Sequence, residues 1–302
     1  MKLIKQSFEI LEQKDFSLKG IKQFIERCGR VCYKSEDRIT DDSYEKFVNM
    51  LEKRDHARPL EFGTVHLKMK SSNFQGFMQA LYTEGIFNDV WIKSIYDEEV
   101  IYITTNYRYY LNIVKYIPFI KNYFTEEDNE YYPKRYTVHF ITSRGIMDEF
   151  RTHVTLSHLA ESTRYCNYSK DKFNNELTFV IQDWMENVRE GTFDDTLGRD
   201  CSWFPTDGGD GLCLNDKEGC VLGTWNKAES EYLDGLKCGL TPQQIRSVLP
   251  LAVKSELISC GFKDAWDNFF YRRCAKDAHP MAREIAIPLQ DKFKEMGLSF
   301  VY

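Results

Sequence analysis

Hydrophobic positions along the chain recur with two periods, which predict short strands mixed with amphipathic helices. Alternation of apolar and polar positions predicts strands over residues 3–10, 63–69, 135–142 and 176–182. Apolar positions spaced three and four apart predict helices over residues 18–32, 40–51, 72–81, 145–153 and 225–237. The aromatic-rich residues 100–124 predict a strand or turn followed by a helix. No internal repeat or low-complexity tract interrupts this series.

Residue types at the ends of two segments support their assignment as helices. Thr40 begins a polar stretch that supplies capping side chains to the second helical segment. Thr241 followed by Pro242 places a capping hydroxyl and then a proline at the first helical position. After Pro250 we predict a long helix that carries Trp266 on its apolar side.

Length and charge limit the classes of function. The chain has 302 residues, enough for one large domain or two smaller ones, and its net charge is −6 at pH 7. This negative net charge argues against sequence-independent binding to the nucleic acid backbone, although a local basic pocket for one nucleotide is compatible with it. Neither a signal peptide nor a run of roughly 20 apolar residues occurs, so we expect a cytoplasmic protein without a membrane partner.

The cysteines do not predict a structural framework. There are nine, without a Cys-x-x-Cys pair, which argues against a disulfide scaffold and a zinc ribbon. Cys201, Cys213 and Cys220 form one loose cluster, and residues 207–211 weakly resemble a calcium loop. Both lie in residues 190–224, whose glycine and aspartate content predicts an irregular surface insertion. No metal site is predicted.

Residues 149–170 concentrate arginine, histidine, hydroxyl and carboxylate side chains. Their central pattern is Ser157, four residues, Ser162, one residue, then Arg164 and Tyr165. Arginine suits phosphate because its planar guanidinium donates two hydrogen bonds at once. The pattern therefore indicates an anion site, and the alternative is a solvated polar turn without a ligand.

This segment resembles the signature of flavin-dependent thymidylate synthases, which reads Arg-His-Arg, seven residues, Ser, and then an Arg-Tyr pair. His153 stands at the signature histidine, and Ser162, Arg164 and Tyr165 are in register. The two signature arginines are replaced by Thr152 and Val154.

Three further blocks resemble the same family in the same order. One holds Cys32, and a second holds His56 and Glu61 in a His-x-x-Pro-x-Glu step. The last begins with Arg246 before Val-Leu-Pro and reaches Arg273 27 residues later. The resemblance covers nearly the whole chain, with residues 85–130 and 183–235 as insertions.

The resemblance implies an α/β fold of the α+β type, with helices around a curved, largely antiparallel sheet. Residues 1–302 then form a single domain with the two insertions, and four subunits assemble into a homotetramer whose active sites are built from several chains.

The resemblance also implies reductive methylation of dUMP to dTMP, with methylenetetrahydrofolate as carbon donor, reduced FAD as hydride donor and NADPH as electron source. Arg273 would stabilise negative charge on the uracil as the catalytic residue. The implied substrate-binding residues are Glu149, Glu161, Ser162, Arg164, Tyr165, Arg246 and Arg273. The implied flavin-binding residues are Cys32, His56, Glu61, Thr152, His153, Val154 and Asn268.

Departures from the family pattern concentrate on the flavin side. Besides Thr152 and Val154, the chain has Phe262 and Asp264 where members often have asparagine and arginine, and only Asn268 agrees there. A dUMP-like ligand is therefore better supported than FAD. Two alternatives stay open: another uridine-nucleotide modification, such as hydroxymethylation of dUMP, and a non-catalytic nucleotide-binding protein.

Overall fold

The computed structural model describes residues 1–170, 173–193, 203–204, 212–213 and 216–300. The strands are β1 (Lys2–Ile4), β2 (Ser7–Leu11), β3 (Thr64–Lys70), β4 (Ile92–Asp97), β5 (Val100–Asn106), β6 (Phe124–Thr125), β7 (Arg135–Ser143), β8 (Ser157–Ala160), β9 (Thr178–Val180), β10 (Gly191–Thr192), β11 (Trp203–Phe204), β12 (Leu212–Cys213) and β13 (Lys254–Phe262). The helices are α1 (Leu18–Tyr33), α2 (Ser43–Lys53), α3 (Ser71–Thr83), α4 (Tyr107–Tyr116), α5 (Arg144–Phe150), α6 (Asp216–Lys237), α7 (Pro242–Ile245), α8 (Lys263–Arg273) and α9 (Pro280–Glu295).

Two four-stranded antiparallel sheets form the framework, in the orders β2-β7-β13-β8 and β4-β5-β3-β6. Strand β1 lies between β9, to which it is parallel, and the antiparallel β10. The predicted α+β class, with helices around largely antiparallel strands, is confirmed. The division of these strands between two main sheets was not predicted.

The longest strand pairing among the described residues involves β13, a strand that the sequence analysis did not predict. Its nine residues pair with β7 from Lys254 opposite Ser143 to Phe262 opposite Arg135. All but Lys254 are buried, so apolar and polar positions do not alternate, and a strand covered on both faces lacks the two-residue period. The helix predicted after Pro250 was wrong over this stretch, because α8 begins only after β13 ends.

The predicted signature helix and the loop after it also need correction. Helix α5 ends at Phe150 rather than at residue 153. Residues 157–160 then form β8, which pairs with β13 and places Ser157 opposite Cys260. Because β8 has only four residues, its alternation is too short to distinguish it from a loop.

Residues 92–125, within the predicted first insertion, supply β4, β5 and β6 of the second sheet and helix α4. This sheet shares one hydrophobic core with α1 and α2, whose Ile25 and Val48 are fully buried. The assignment of these residues as an insertion stays a prediction. Within the second predicted insertion, helix α6 begins at Asp216, before the predicted residue 225.

Several sequence expectations lie wholly or partly outside the described residues, including Cys201 and the acidic glycine-rich residues 207–211. Seven cysteines of the described residues are free thiols, at positions 28, 32, 166, 220, 238, 260 and 274. None of the helices in the described part of the chain is long and apolar enough to cross a membrane.

Candidate functional site

A tight turn follows β8 and carries the serine and arginine of the signature. The Glu161 amide extends the β-ladder by donating to Glu256 O at 2.8 Å, and the Ser162 amide donates to Cys32 O at 3.2 Å. Ser162 O then accepts from the amides of Tyr165 and Cys166 at 3.1 and 2.9 Å. Glu161 and Ser162 thereby tie the turn to β13 and to the end of α1, and the bonds to Ser162 O close residues 162–166 on themselves.

Three arginines surround this turn. Arg144, in the first turn of α5, and Arg246 approach the Thr163 hydroxyl with their Nη1 atoms at 3.4 and 3.5 Å. Arg164 donates to Gln243 Oε1 at 3.1 Å and stacks on the Tyr165 ring. Arg164 and Arg246 were predicted, whereas Arg144 was missed because it lies outside every motif and approaches Thr163 only through the fold.

Within the described residues, neither Arg164 nor Arg246 has a carboxylate partner, while Arg144 contacts Asp148 at 3.4 Å. The Nη1 atoms of Arg144 and Arg246 both lie within 3.5 Å of the Thr163 hydroxyl oxygen, so these two guanidinium groups are close neighbours. Like charges at this separation repel, and an anion between them removes the repulsion. The geometry therefore suits a phosphate-sized anion.

A second group of predicted residues surrounds Arg273 at the end of α8. Its Nη1 donates to Glu149 Oε2 at 2.7 Å, and its Nη2 donates to Glu149 O at 2.7 Å and to the Thr152 hydroxyl at 3.0 Å. Its Nε donates to His153 Nε2 at 2.9 Å. The arginine thus ties α8 to the end of α5.

Hydrogen bonds fix the tautomers of two neighbouring histidines. Since Arg273 can only donate, His153 Nε2 must accept, and the neutral ring carries its proton on Nδ1. His158 is the opposite case, because its Nε2 lies 2.9 Å from His153 O and must donate, leaving Nδ1 to accept from the Ser259 hydroxyl. Burial, with the charge of Arg273, lowers the pKa of His153 to about 4, and burial lowers the pKa of His158 to about 4.

Thr152, Asn268 and Arg273 line an open, mostly polar cavity of about 640 Å³ together with Tyr271 and Arg272. Its polar groups and its size suit a phosphate-bearing cofactor such as FAD. Positions 152 and 154 supply no cation to such a group: the Thr152 hydroxyl donates to Glu149 O at 2.7 Å, and Val154 is 88% exposed. Among the described residues that line the cavity, Arg272 is a second cation beside Arg273, and Asp277 adds a carboxylate.

Glu61, which is itself buried, lies at the centre of a third group. Its Oε2 accepts from the Ser157 hydroxyl at 2.6 Å and from Arg58 Nη1 at 3.4 Å, and its Oε1 accepts from Arg108 Nη1 at 2.6 Å. Arg108 belongs to α4, within the residues predicted to be an insertion. No sequence signal marked it, because the contact with Glu61 joins positions 47 residues apart.

The remaining predicted flavin residues lie near Tyr33 at the end of α1. The exposed His56 ring is 3.4 Å from the Tyr33 hydroxyl through Nδ1, and the Tyr33 ring is 6.2 Å from that of Tyr165. Burial raises the pKa of the Cys32 thiol to about 12, so this thiol stays protonated. The chain thus brings Cys32, His56 and Tyr165 to one side of the turn.

Glu161 is buried beneath the turn. Its carboxylate accepts from Lys254 Nζ at 2.8 Å and from the Tyr168 hydroxyl at 3.1 Å. Both oxygens therefore already have partners within the protein. A role in substrate binding, as predicted from the resemblance, would require contact beyond these two bonds.

One comparison with known proteins agrees with the sequence signature. The family model described as thymidylate synthase complementing protein matches residues 134–296, more than half of the chain. Two structures of the UMP/dUMP methylase PolB from Streptomyces cacaoi, bound with 5-Br dUMP and 5-Br UMP, are similar at 15% and 12% identity and TM-scores of 0.41 and 0.42. Each match covers 98% of this chain. It covers 93% of the PolB chain in the first structure and 92% in the second.

No curated protein sequence matches the chain. The matched residues run from just before β7 to just past the end of α9 and contain the turn with its three arginines as well as Arg273. The chain therefore belongs to the thymidylate synthase complementing protein family, the flavin-dependent thymidylate synthases, as its signature indicated.

Proposed function

We propose that this protein binds dUMP and converts it to dTMP by reductive methylation at C5 of the uracil. The carbon donor is methylenetetrahydrofolate, the hydride donor is reduced FAD, and NADPH supplies the electrons. Family membership supports thymidylate synthase chemistry on a uridine nucleotide. The named co-substrates follow from the resemblance of the signature blocks.

The observation that carries the substrate assignment is the arginine cluster at Thr163. Two guanidinium groups contact one hydroxyl, a third lies on the adjacent residue, and two of the three lack a carboxylate within the described chain. A nucleotide phosphate between them would accept several charge-assisted hydrogen bonds. We assign the phosphate to Arg144, Arg164, Arg246 and Ser162.

We assign the uracil to Arg273. A guanidinium has five N–H donors, and its bonds to Glu149, Thr152 and His153 occupy four of them, leaving one on Nη1. Glu149 and the neutral His153 hold the group in one orientation. A preorganised donor aimed at an oxygen that gains negative charge lowers the barrier of the reaction, by about 3 kcal/mol in a dry site.

The cavity beside Arg273 is the proposed FAD site: Thr152, His153 and Asn268 line it, and Val154 follows His153 in the chain. Cys32, His56 and Glu61 would contact the flavin from the other predicted block. When bound, the reduced flavin supplies a hydride that converts a methylene group to a methyl group, so the reaction needs no protein thiolate. Without the signature arginines, Arg272 is available to the cofactor phosphates besides Arg273.

The arginine cluster and the Arg273 cavity lie at opposite ends of α5, which starts at Arg144 and ends one residue after Glu149. The resemblance implies active sites shared between subunits of a homotetramer, and we propose that one site combines the arginine cluster of one subunit with the Arg273 cavity of another. Mixing the inactive variants Arg246→Ala and Arg273→Ala, with subunit exchange, should then restore part of the activity. Mixed oligomers without activity would place both groups in one subunit's site.

Calorimetric titration with dUMP, UMP and deoxyuridine tests the substrate assignment. We expect dUMP to bind, and Arg246→Ala to weaken it about 10- to 100-fold, because a lost charge-assisted bond costs about 1.5 to 3 kcal/mol. Arg27→Ala is a matched control, since Arg27 is half-exposed and pairs with Glu9 on the surface. No binding of either nucleotide at millimolar concentration would contradict the proposal.

Product analysis separates the remaining alternatives. With dUMP, methylenetetrahydrofolate, NADPH and added FAD, mass spectrometry should detect dTMP. Hydroxymethyl-dUMP instead would establish the other uridine-nucleotide modification. Nucleotide binding without any product, in protein that takes up no flavin, would establish a non-catalytic binding protein.

A further inference from the structure

Two carboxylates lie side by side beneath the turn that follows β8. Glu161 and Glu256 are joined by a backbone hydrogen bond of 2.8 Å, and their side chains are 0% and 6% exposed. Adjacent buried carboxylates repel strongly and are retained only when cations compensate them. The conformation of the turn therefore depends on whatever neutralises this pair.

Lys254, the first residue of β13, bridges the two carboxylates. Its Nζ lies 2.8 Å from Glu161 Oε2 and 2.5 Å from Glu256 Oε1. Burial by itself lowers the pKa of Lys254, but the charges of Glu161 and Glu256 outweigh it and raise the pKa, so the lysine remains a cation. Lys254 therefore contacts both carboxylates directly.

Further partners make this a compensated cluster. Lys34 donates to Glu256 Oε1 at 2.8 Å and to Glu36 at 3.0 Å, and His139 Nε2 lies 2.9 Å from Glu256 Oε2. Burial raises the pKa of Glu256, but the His139 hydrogen bond and the two lysines outweigh it and hold that pKa well below its usual value. Two lysines thus face two buried carboxylates.

The cluster is joined directly to the proposed phosphate site. Glu161 immediately precedes Ser162, and the next residue, Thr163, is the one that Arg144 and Arg246 contact. If Lys254 were absent, the repulsion between Glu161 and Glu256 would favour moving Glu161 towards water. Such a movement would carry Ser162 and Thr163 away from the arginines.

We propose that Lys254 is a positioning residue for the phosphate of the substrate: by bridging Glu161 and Glu256 it holds the turn in the shape that binds the anion. The ligand part of this inference rests on the proposed function. The effect on the turn itself does not, and the two parts can be measured separately.

The first measurement compares the affinity of Lys254→Met for dUMP and for deoxyuridine, which lacks the phosphate. We expect the affinity for dUMP to fall at least about 10-fold and that for deoxyuridine to stay within about 2-fold, because the uracil is held at Arg273. An unchanged affinity for dUMP, or equal losses for both ligands, would overturn the proposal. If Lys254→Met does not fold, Lys254→Gln, which keeps a donor without the charge, takes its place.

Lys34→Met is the matched control. It removes one lysine of similar burial from the same cluster but keeps the bond between Lys254 and Glu161. We expect reduced stability with the wild-type ratio of dUMP to deoxyuridine affinity. A loss of that ratio as large as in Lys254→Met would show that the cluster acts as a whole and that Lys254 has no special position.

The second measurement is amide hydrogen exchange without ligand. In Lys254→Met, the amides of Glu161, Tyr165 and Cys166 should exchange at least about 10-fold faster than in wild type, whereas those at the centre of β7 should not change. Unchanged exchange at the turn would overturn the inference, even if dUMP bound more weakly. If wild type binds no uridine nucleotide, the proposed function fails, and the exchange result alone decides the role of Lys254.

Discussion

The paired histidines behind Arg273 lead to a quantitative prediction about stability in mild acid. His153 accepts a hydrogen bond from Arg273, and His158 both accepts from Ser259 and donates to His153 O, so each ring has a partner that suits the neutral form. Both have a pKa of about 4, compared with 6.5 for an ordinary histidine. Each ring therefore resists protonation only while the chain is folded.

The sign and size follow from proton linkage. Between pH 6.5 and 4 the unfolded chain binds more protons than the folded one, so stability is present above this window and is lost as the pH falls through it. A folded pKa of about 4 corresponds to about 3 kcal/mol over the whole window, and about 2 kcal/mol of this is lost between pH 7 and 5 for each histidine. Stability that depends on the low pKa of Glu256 is lost only below its ordinary value of 4.5, outside the range from pH 7 to 5.

The assay is urea unfolding at pH 7, 6 and 5 for wild type, His158→Gln and Ser259→Ala. His158→Gln should be less stable at pH 7, but its free energy of unfolding should fall by about 2 kcal/mol less than that of wild type on going to pH 5. Ser259→Ala removes the hydrogen bond to His158 Nδ1 but keeps the buried ring. It should therefore be less stable than wild type, while its free energy of unfolding should change with pH almost as much as that of wild type. If the free energy of unfolding of His158→Gln fell as much between pH 7 and 5 as that of wild type, the reasoning would be refuted.

Three further outcomes are expected. Arg108→Ala should lower the free energy of unfolding by about 2 kcal/mol, because it removes a charge-assisted bond from a buried carboxylate; an unchanged thermal midpoint would contradict the role of this bond. Cys32→Ser and Cys274→Ser should retain measurable dTMP formation, since burial raises the thiol pKa values to about 12 and 11 and protonated thiols are weak nucleophiles. A folded but inactive variant would instead indicate covalent catalysis. Thr152→Arg combined with Val154→Arg should tighten FAD at least about 10-fold in a flavin fluorescence titration, and equal or weaker binding would show that these positions do not face the cofactor.

The sequence determined those elements whose pattern is local. Helix α1 follows from apolar positions on one face, and the structure buries Ile21, Ile25 and Cys28 of that face completely. The capping signals at Thr241 also hold, since its hydroxyl and the side chain of Gln244 form a capping box. Membership of the family could likewise be predicted from the sequence, because the family signature consists of residue types at fixed spacing.

Strands β13 and β8 were decided by tertiary structure. Strand β13 is buried on both faces, where helices α1, α5 and α8 contact it, and β8 has four residues, so neither has a period from which it could be recognised. The division of the strands into two sheets depends on pairings such as β3 with β5, which join residues far apart in the chain.

Charge partners were also decided by tertiary structure. The sequence indicates which arginines match the family. It does not indicate that Arg144 and Arg246 both approach the Thr163 hydroxyl, or that Arg108 of α4 donates to Glu61. A side chain's charge is set by its residue type, whereas its partner depends on which backbone segments the fold brings within about 3 Å. Residue types therefore determined the chemistry that this chain can offer, and the packing of β13 and α5 decided where that chemistry is assembled.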